Sequence, residues 1–298
     1  MVIFTFTRIA YHHHFVIMVN NQEQEALDFS SRLKTKILGQ KKQWLACCDS
    51  TQTIALNQAH HPQAHGTLIY TQQQTQGKGR HGRHFYSAKE SHYLQSLTCS
   101  LIFQTFFCDT PKEHNQELTP MQAITLGFLT ALSIREAIAK NTQLNAQIKW
   151  PNDILIDHKK VCGILTSYQT QDHSSAAVIG FGINISDVPQ APYIQQAGAL
   201  YPVRTQASIL YAHRLNLLAY ILEQIEQHIK NYLTYGHAWL IQQYEPHMAY
   251  LQTYRPIQVA DNKTYKIKIL GLDDSLALRA YDPIHGEHLI TTGDIGFL

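Results

Sequence analysis

Residues 146 to 184 hold four short strand-forming runs: Gln147–Trp150, Asp153–Ile156, Val161–Tyr168 and Ala176–Ile185. Pro151-Asn152, Asp157-His158 and Gln171-Asp172 separate them, and each pair is turn chemistry. Consecutive strands joined by such short turns pair antiparallel, because a parallel return needs a crossover of about a dozen residues.

Helical patterns flank this block. Thr119-Pro120 is a helix start, with Pro suited to the first helical position. Ile124, Phe128 and Leu132 then recur along a face that runs to about Ala139. Leu218, Ile221, Ile225 and Ile229 mark a second helix over residues 214–234. Upstream, residues 21–39 read as a helix, Trp44 to Cys48 as a strand and Asp49-Ser50-Thr51 as a helix cap. Residues 66–71 and Tyr93 to Phe103 read as further strands. Beyond Tyr254 the pattern changes to short strands at Pro256–Ala260, Thr264–Leu270, Leu276–Tyr281 and His288–Thr291, the signature of a small β-barrel module. The expected class is α+β. Residues 1–27 form an N-terminal extension, 28–252 a mixed-sheet domain and 253–298 an all-β domain.

The 298 residues, 44% apolar, suffice for such a pair of domains. With 24 basic and 22 acidic side chains, no global charge marks a nucleic-acid binder. Cys47, Cys48, Cys99, Cys108 and Cys162 are odd in number and form no C-x-x-C, which fits a reducing cytoplasm and argues against a disulfide framework or a zinc site. Each is expected to be a buried small hydrophobe. Arg8 and His12 to His14 interrupt the apolar start, so neither a membrane span nor a signal peptide is expected there. That start is expected to be unstructured, with Met18 a candidate initiator.

Three stretches carry chemistry. Gly77, Gly79 and Gly82 match G-x-G-x-x-G. A dinucleotide turn would also need a following helix and an acid about 20 residues on. Residues 84–92 lack a helical period, and no acid lies between Ser91 and Cys108. Lys78, Arg80, His81 and Arg83 instead make this a cationic glycine loop, for an anion or simply solvated. Lys149, at the end of an apolar strand, is either an edge residue or a fixed cation for an anionic ligand. Gly163, Gly180 and Gly182 lie inside strands, where close approach of a ligand, a bulge or tight packing calls for glycine. Together they suit a small anion held against a sheet.

Five motifs in order sharpen this: Asp49-Ser-Thr-Gln52, Gln74-Thr-Gln-Gly-Lys-Gly-Arg-His-Gly-Arg83, Lys149-Trp-Pro-Asn-Asp153, Lys160-Val-Cys-Gly-Ile-Leu165 and Gly180-Phe-Gly-Ile-Asn184. In these the chain resembles the biotin–protein ligases, from about residue 30 to the C-terminus. The resemblance implies a catalytic core of the class II aminoacyl-tRNA synthetase type followed by an SH3-like barrel. It implies activation of biotin by ATP, with Mg²⁺, to biotinyl-AMP, then transfer to a lysine of a biotin carboxyl carrier protein of acetyl-CoA carboxylase or a similar enzyme. Lys149 and Arg80 would be catalytic. Ser50, Thr51, Gln52, Gln74, Lys78, Gly79, Arg80, Lys149, Gly163 and Gly182 would contact biotin. Gly77, Lys78, Arg80, Arg83, Phe85, Lys149, Asn152 and Asn184 would contact the adenylate, Phe85 being equally compatible with a core position. No protein-bound metal site is implied.

Lys78, Gln52 and Ser167 depart from the family's usual Arg, Asn and Glu. Only about 40 residues precede the core, too few for a DNA-binding domain and linker, so no sequence-specific DNA binding is expected. A monomer or homodimer in the cytoplasm is expected. The alternatives are a lipoate or octanoate ligase, which would use an apolar tunnel, and a non-catalytic biotin sensor.

Overall fold

The computed structural model describes residues 24–85, 96–106, 117–186, 197–202, 204–258 and 264–296. The expectations for His12 to His14 and Met18, for Cys108 and for the first residues of the Tyr93–Phe103 strand lie outside them.

A seven-stranded mixed sheet has the order β1-β2-β3-β7-β6-β5-β4. Its strands are β1 (Lys42–Cys48), β2 (Leu68–Gln74), β3 (Ser96–Phe103), β4 (Gln147–Lys149), β5 (Asp153–Ile156), β6 (Lys159–Gln171) and β7 (Ser174–Asn184). β1 and β2 are parallel; the other neighbours are antiparallel, as the turns between residues 146 and 184 require. Alternation along β3 and β7 sorts the residues to two faces. Leu101, Phe103, Ile179 and Phe181 join the large core. Ile102, Ala176 and Val178 join a small one under α2 (Thr51–Gln58), with Ala55 and Ala59.

α3 (Pro120–Thr142) and α4 (Ala207–Tyr244) cover the large-core face. α3 opens on a capping box, with Thr119 Oγ1 accepting from Gln122 N and Gln122 Oε1 from Thr119 N. The four-residue stripe expected on α3 is corrected: Phe128 and Leu132 are buried, but Ile124 is 44% exposed. From Thr125 to Ile134 every residue of α3 is buried, because sheet and α4 cover it on two sides. α4 keeps its stripe and breaks at Gly236, whose φ of 71° an L side chain rarely adopts.

The helix expected over 21–39 is helical at residues 24–30 (α1) and then runs in turns. Glu226 holds the turn that follows at residues 36–38. Its buried carboxylate accepts from the backbone N–H of Lys36 (2.9 Å), Ile37 (2.7 Å) and Leu38 (2.8 Å), which a helix would have used internally.

A second, five-stranded antiparallel sheet has the order β11-β10-β9-β8-β12. Its strands are β8 (Tyr254–Gln258), β9 (Thr264–Leu272), β10 (Leu278–Asp282), β11 (Gly286–Ile290) and β12 (Asp294–Ile295). β12 was absent from the sequence reading. Trp150 Nε1 donates to Leu276 O at 3.2 Å, and Leu272 N to Glu245 Oε1 at 2.6 Å, so the second sheet's module is bonded to the turn after β4 and to the end of α4. Cys99 and Cys162 are buried as expected, but Cys47 is exposed on the edge strand β1. Among the described residues no helix is long and apolar enough to cross a membrane.

Replacing Glu226 with Ala leaves three backbone donors of a partly buried turn without their acceptor. The unfolding free energy in urea should fall by roughly 3 kcal/mol or more.

Candidate active site

The site lies where the small-core face of the sheet turns polar. Along β3 the face reads Ile102, Ser100, Thr98; along β7 it reads Val178, Gly180, Gly182. α2 covers the apolar part and presents its N-terminus to the polar part. Ser50 caps that end, accepting from Thr53 N at 3.4 Å. Thr51 and Gln52 are buried beside it. Thr51 N donates to Gln74 Oε1 at 2.7 Å, tying the helix to the end of β2.

Residues 77 to 85 fold over this floor. Gly79 N donates to Arg83 O at 2.7 Å and Phe85 N to Gly77 O at 2.8 Å, closing a tight loop around a short 3₁₀ turn, Arg80–Gly82. Gly82 has φ of 72°, and a side chain at Gly77 would collide with Phe85 O. The space over Gly182 is filled by the Phe85 ring, and that over Gly180 by the Gln52 amide. The strand glycines therefore make room for the protein's own side chains. The cavity left is about 60 Å³, far below the hundreds of Å³ of a typical organic-ligand site.

Charged groups crowd the other wall. Asp153, buried, takes Lys160 Nζ at 2.6 Å and Lys149 Nζ at 3.4 Å on its two oxygens. Lys149 Nζ also donates to Ile295 O at 3.0 Å and lies 3.5 Å from Asp294 Oδ1. Arg83 meets Asp294 Oδ2 at 2.6 Å. Arg80 Nη1 donates to Asn152 Oδ1 at 3.0 Å, and Asn152 in turn donates to Ile164 O at 2.9 Å. Burial draws Arg80 below its usual value, opposed by Asp294 and Asp153. Burial works to raise Asp294, yet Lys149, Arg83 and Arg80 hold it below the ordinary carboxylate value.

Residues 44–184 match the model of the biotin/lipoate A/B protein ligase family. That span belongs to this family. Over 243 residues the chain is 29% identical to the bifunctional ligase/repressor BirA of Bacillus subtilis, covering 81% of this chain and 70% of that protein. Over 172 residues it is 28% identical to the biotin–[acetyl-CoA-carboxylase] ligase of Paracoccus denitrificans, covering 56% and 64%. The fold matches the Aquifex aeolicus biotin protein ligase solved with biotin and ATP at a TM-score of 0.66, with 24% identity over 86% of this chain and 98% of that one.

The ligase domain gathers most of the expected residues around one cavity. Ser50, Thr51, Gln52, Gln74, Gly163 and Gly182 line it, with Lys78, Gly79, Arg80, Phe85 and Asn152. Four expected residues do not line it. Gly77 sits under Phe85, and Arg83 points to Asp294. Asn184 donates to Gly198 O at 2.9 Å. Lys149, 4% exposed, stands behind Asp153.

Lys160 opens the Lys160–Leu165 motif but is not among the residues expected at the site from sequence. It lines the cavity, is 40% exposed and lies over Gly163. Its pattern position, two residues before the strand glycine's neighbour Cys162, was the available signal. Asp294 was missed because it lies far along the chain on β12.

Asp294 joins the second sheet to this site. Its folded carboxyl sits below its unfolded value, so its contribution is full above pH about 4 and is lost as pH falls through the folded value. Asp294→Asn should cost roughly 1–3 kcal/mol at neutral pH and flatten the acid limb of a stability–pH profile measured in urea.

Proposed function

We propose that the chain is a biotin–protein ligase. It activates biotin with ATP and transfers it to a lysine of a biotin carrier domain of a carboxylase, the partner class that the name of the Paracoccus relative supports. The observation that carries this reading is one cavity walled by Lys160 and Arg80 and floored by a hydroxyl–amide row, Thr51, Ser100 and Gln52. A ureido ring both donates and accepts, and a buried hydroxyl–amide row can answer both. A dithiolane would leave the row unpaired, so the floor favours biotin over lipoate.

In the first step a biotin carboxylate oxygen bonds to the α-phosphorus of ATP and the bond to pyrophosphate breaks. Two anions must meet, and Lys160 and Arg80 reduce their repulsion. In the second step the carrier amine attacks the acyl carbon and AMP leaves with the bonding electrons. Lys149 holds Asp153 and β12 in place behind Lys160. Asp153 and Asp294, the carboxylates at this wall, are paired with cations, so we assign Mg²⁺ to the ATP complex as substrate and to no protein cage. We assign activation to residues 28–252 and treat 253–298 as the small β module.

Biotin-dependent pyrophosphate release, followed by the mass of a carrier domain, tests this. Biotin should add its acyl mass and lipoate should not. Lys160→Ala should lower kcat/KM by about 100-fold or more with the fold intact. Lys149→Ala should in addition lose stability, because it leaves two carboxylates facing each other. Turnover with lipoate and none with biotin would overturn the assignment.

A further inference from the structure

Two of the positions at which this chain departs from the family pattern, Gln52 and Ser167, touch each other. Gln52 Nε2 donates to Ser167 Oγ at 3.0 Å and to Val178 O at 3.1 Å. Ser100 Oγ donates to Gln52 Oε1 at 3.1 Å. The amide is 4% exposed, and Gly180 is required beneath it because a side chain there would collide with Oε1.

The orientation of this amide follows from its neighbours. A carbonyl oxygen only accepts, so the nitrogen must face Val178 O, and Oε1 must then face Ser100. Oε1 in turn fixes the single hydroxyl proton of Ser100. Thr51 Oγ1 lies 2.9 Å from Ser100 Oγ and 3.1 Å from Gln74 Oε1. With the Ser100 proton committed to Gln52, Thr51 is the donor in whichever of these contacts it uses. Thr51 lines the cavity, and its oxygen then keeps acceptor capacity for a ligand donor.

We propose that Gln52, braced by Ser167, is a positioning residue that sets the proton direction of the Ser100–Thr51 pair and so makes Thr51 an acceptor for a ligand N–H. The proposal rests on the biotin reading above, because a ureido group brings that N–H and a dithiolane does not. It also gives the two departures one cause: the longer amide reaches the shorter hydroxyl across the floor.

Gln52→Asn is one methylene too short to hold Val178 O and Ser100 together. The Ser100 proton is then free to turn to Thr51 and consume its lone pair. The KM for biotin should rise by roughly 5-fold or more, with kcat at saturation and the KM for ATP within about two-fold of the parent. The preference for biotin over lipoate should fall by the same factor. Ser167→Ala keeps the Val178 and Ser100 contacts and should move the same quantities in the same direction by less; it carries the test if Gln52→Asn does not fold, as judged by thermal unfolding. An unchanged biotin KM in both variants, or a rise shared equally by kcat, ATP and lipoate, would overturn the positioning role while leaving the ligase reading intact. A parent protein that releases no pyrophosphate with biotin would overturn both.

Discussion

Lys149 is the interaction on which the rest of the site depends. A buried ammonium costs several kcal/mol unless it is paired and hydrogen-bonded. Here the pairing comes from two directions: Asp153 from the strand beside it and Asp294 with Ile295 O from the second sheet. That single requirement holds β12 against the ligase sheet and fixes the turn that carries Asn152. The same two carboxylates also serve Lys160 and Arg83 and lie in the field of Arg80. Among these groups, four cations share two carboxylates. The surplus positive charge suits a polyanion and is stable without one only because each carboxylate is shared.

The floor of the site is made by the same periodicity that makes the core. Every second residue of β3 and β7 faces α2, and the face runs from Ile102 and Val178 to Ser100, Thr98, Gly180 and Gly182. Moving the strand register by one residue would put Leu101 and Ile179 into the cavity and bury the hydroxyls in the large core. Core packing therefore positions the hydroxyl–amide row, so core and floor are set together.

Much of this was legible because it is local. Turn pairs fixed the antiparallel block, Thr119 and Pro120 fixed the start of α3, and Ser50 fixed the start of α2. What was not legible depends on distant contacts. Ile124 repeats correctly but faces solvent, because a helix covered on two sides no longer needs a narrow stripe. Residues 31–39 resemble a helix in sequence, yet a carboxylate nearly 190 positions away takes the N–H groups of residues 36–38. The choice between Lys149 and Lys160 is of the same kind. Both stand in motifs, and only β12, too short to announce itself in sequence, buries the first and leaves the second facing the cavity.

The Phe85 ring shows how such a site can be closed and still be usable. It fills the space over Gly182 and leaves about 60 Å³, so an organic ligand enters only if the loop shifts. Lifting it breaks the Arg83–Asp294 pair, whose arginine is largely exposed and whose carboxylate keeps Lys149, and uncovers one half-buried ring, worth ~1.5–3 kcal/mol when fully buried. The floor and the Lys149 cluster need not move. A ligand that supplies a ring system over Gly182 and phosphates for Arg80 and Lys160 would replace both losses, so closure over the bound adenylate can match closure over the empty floor.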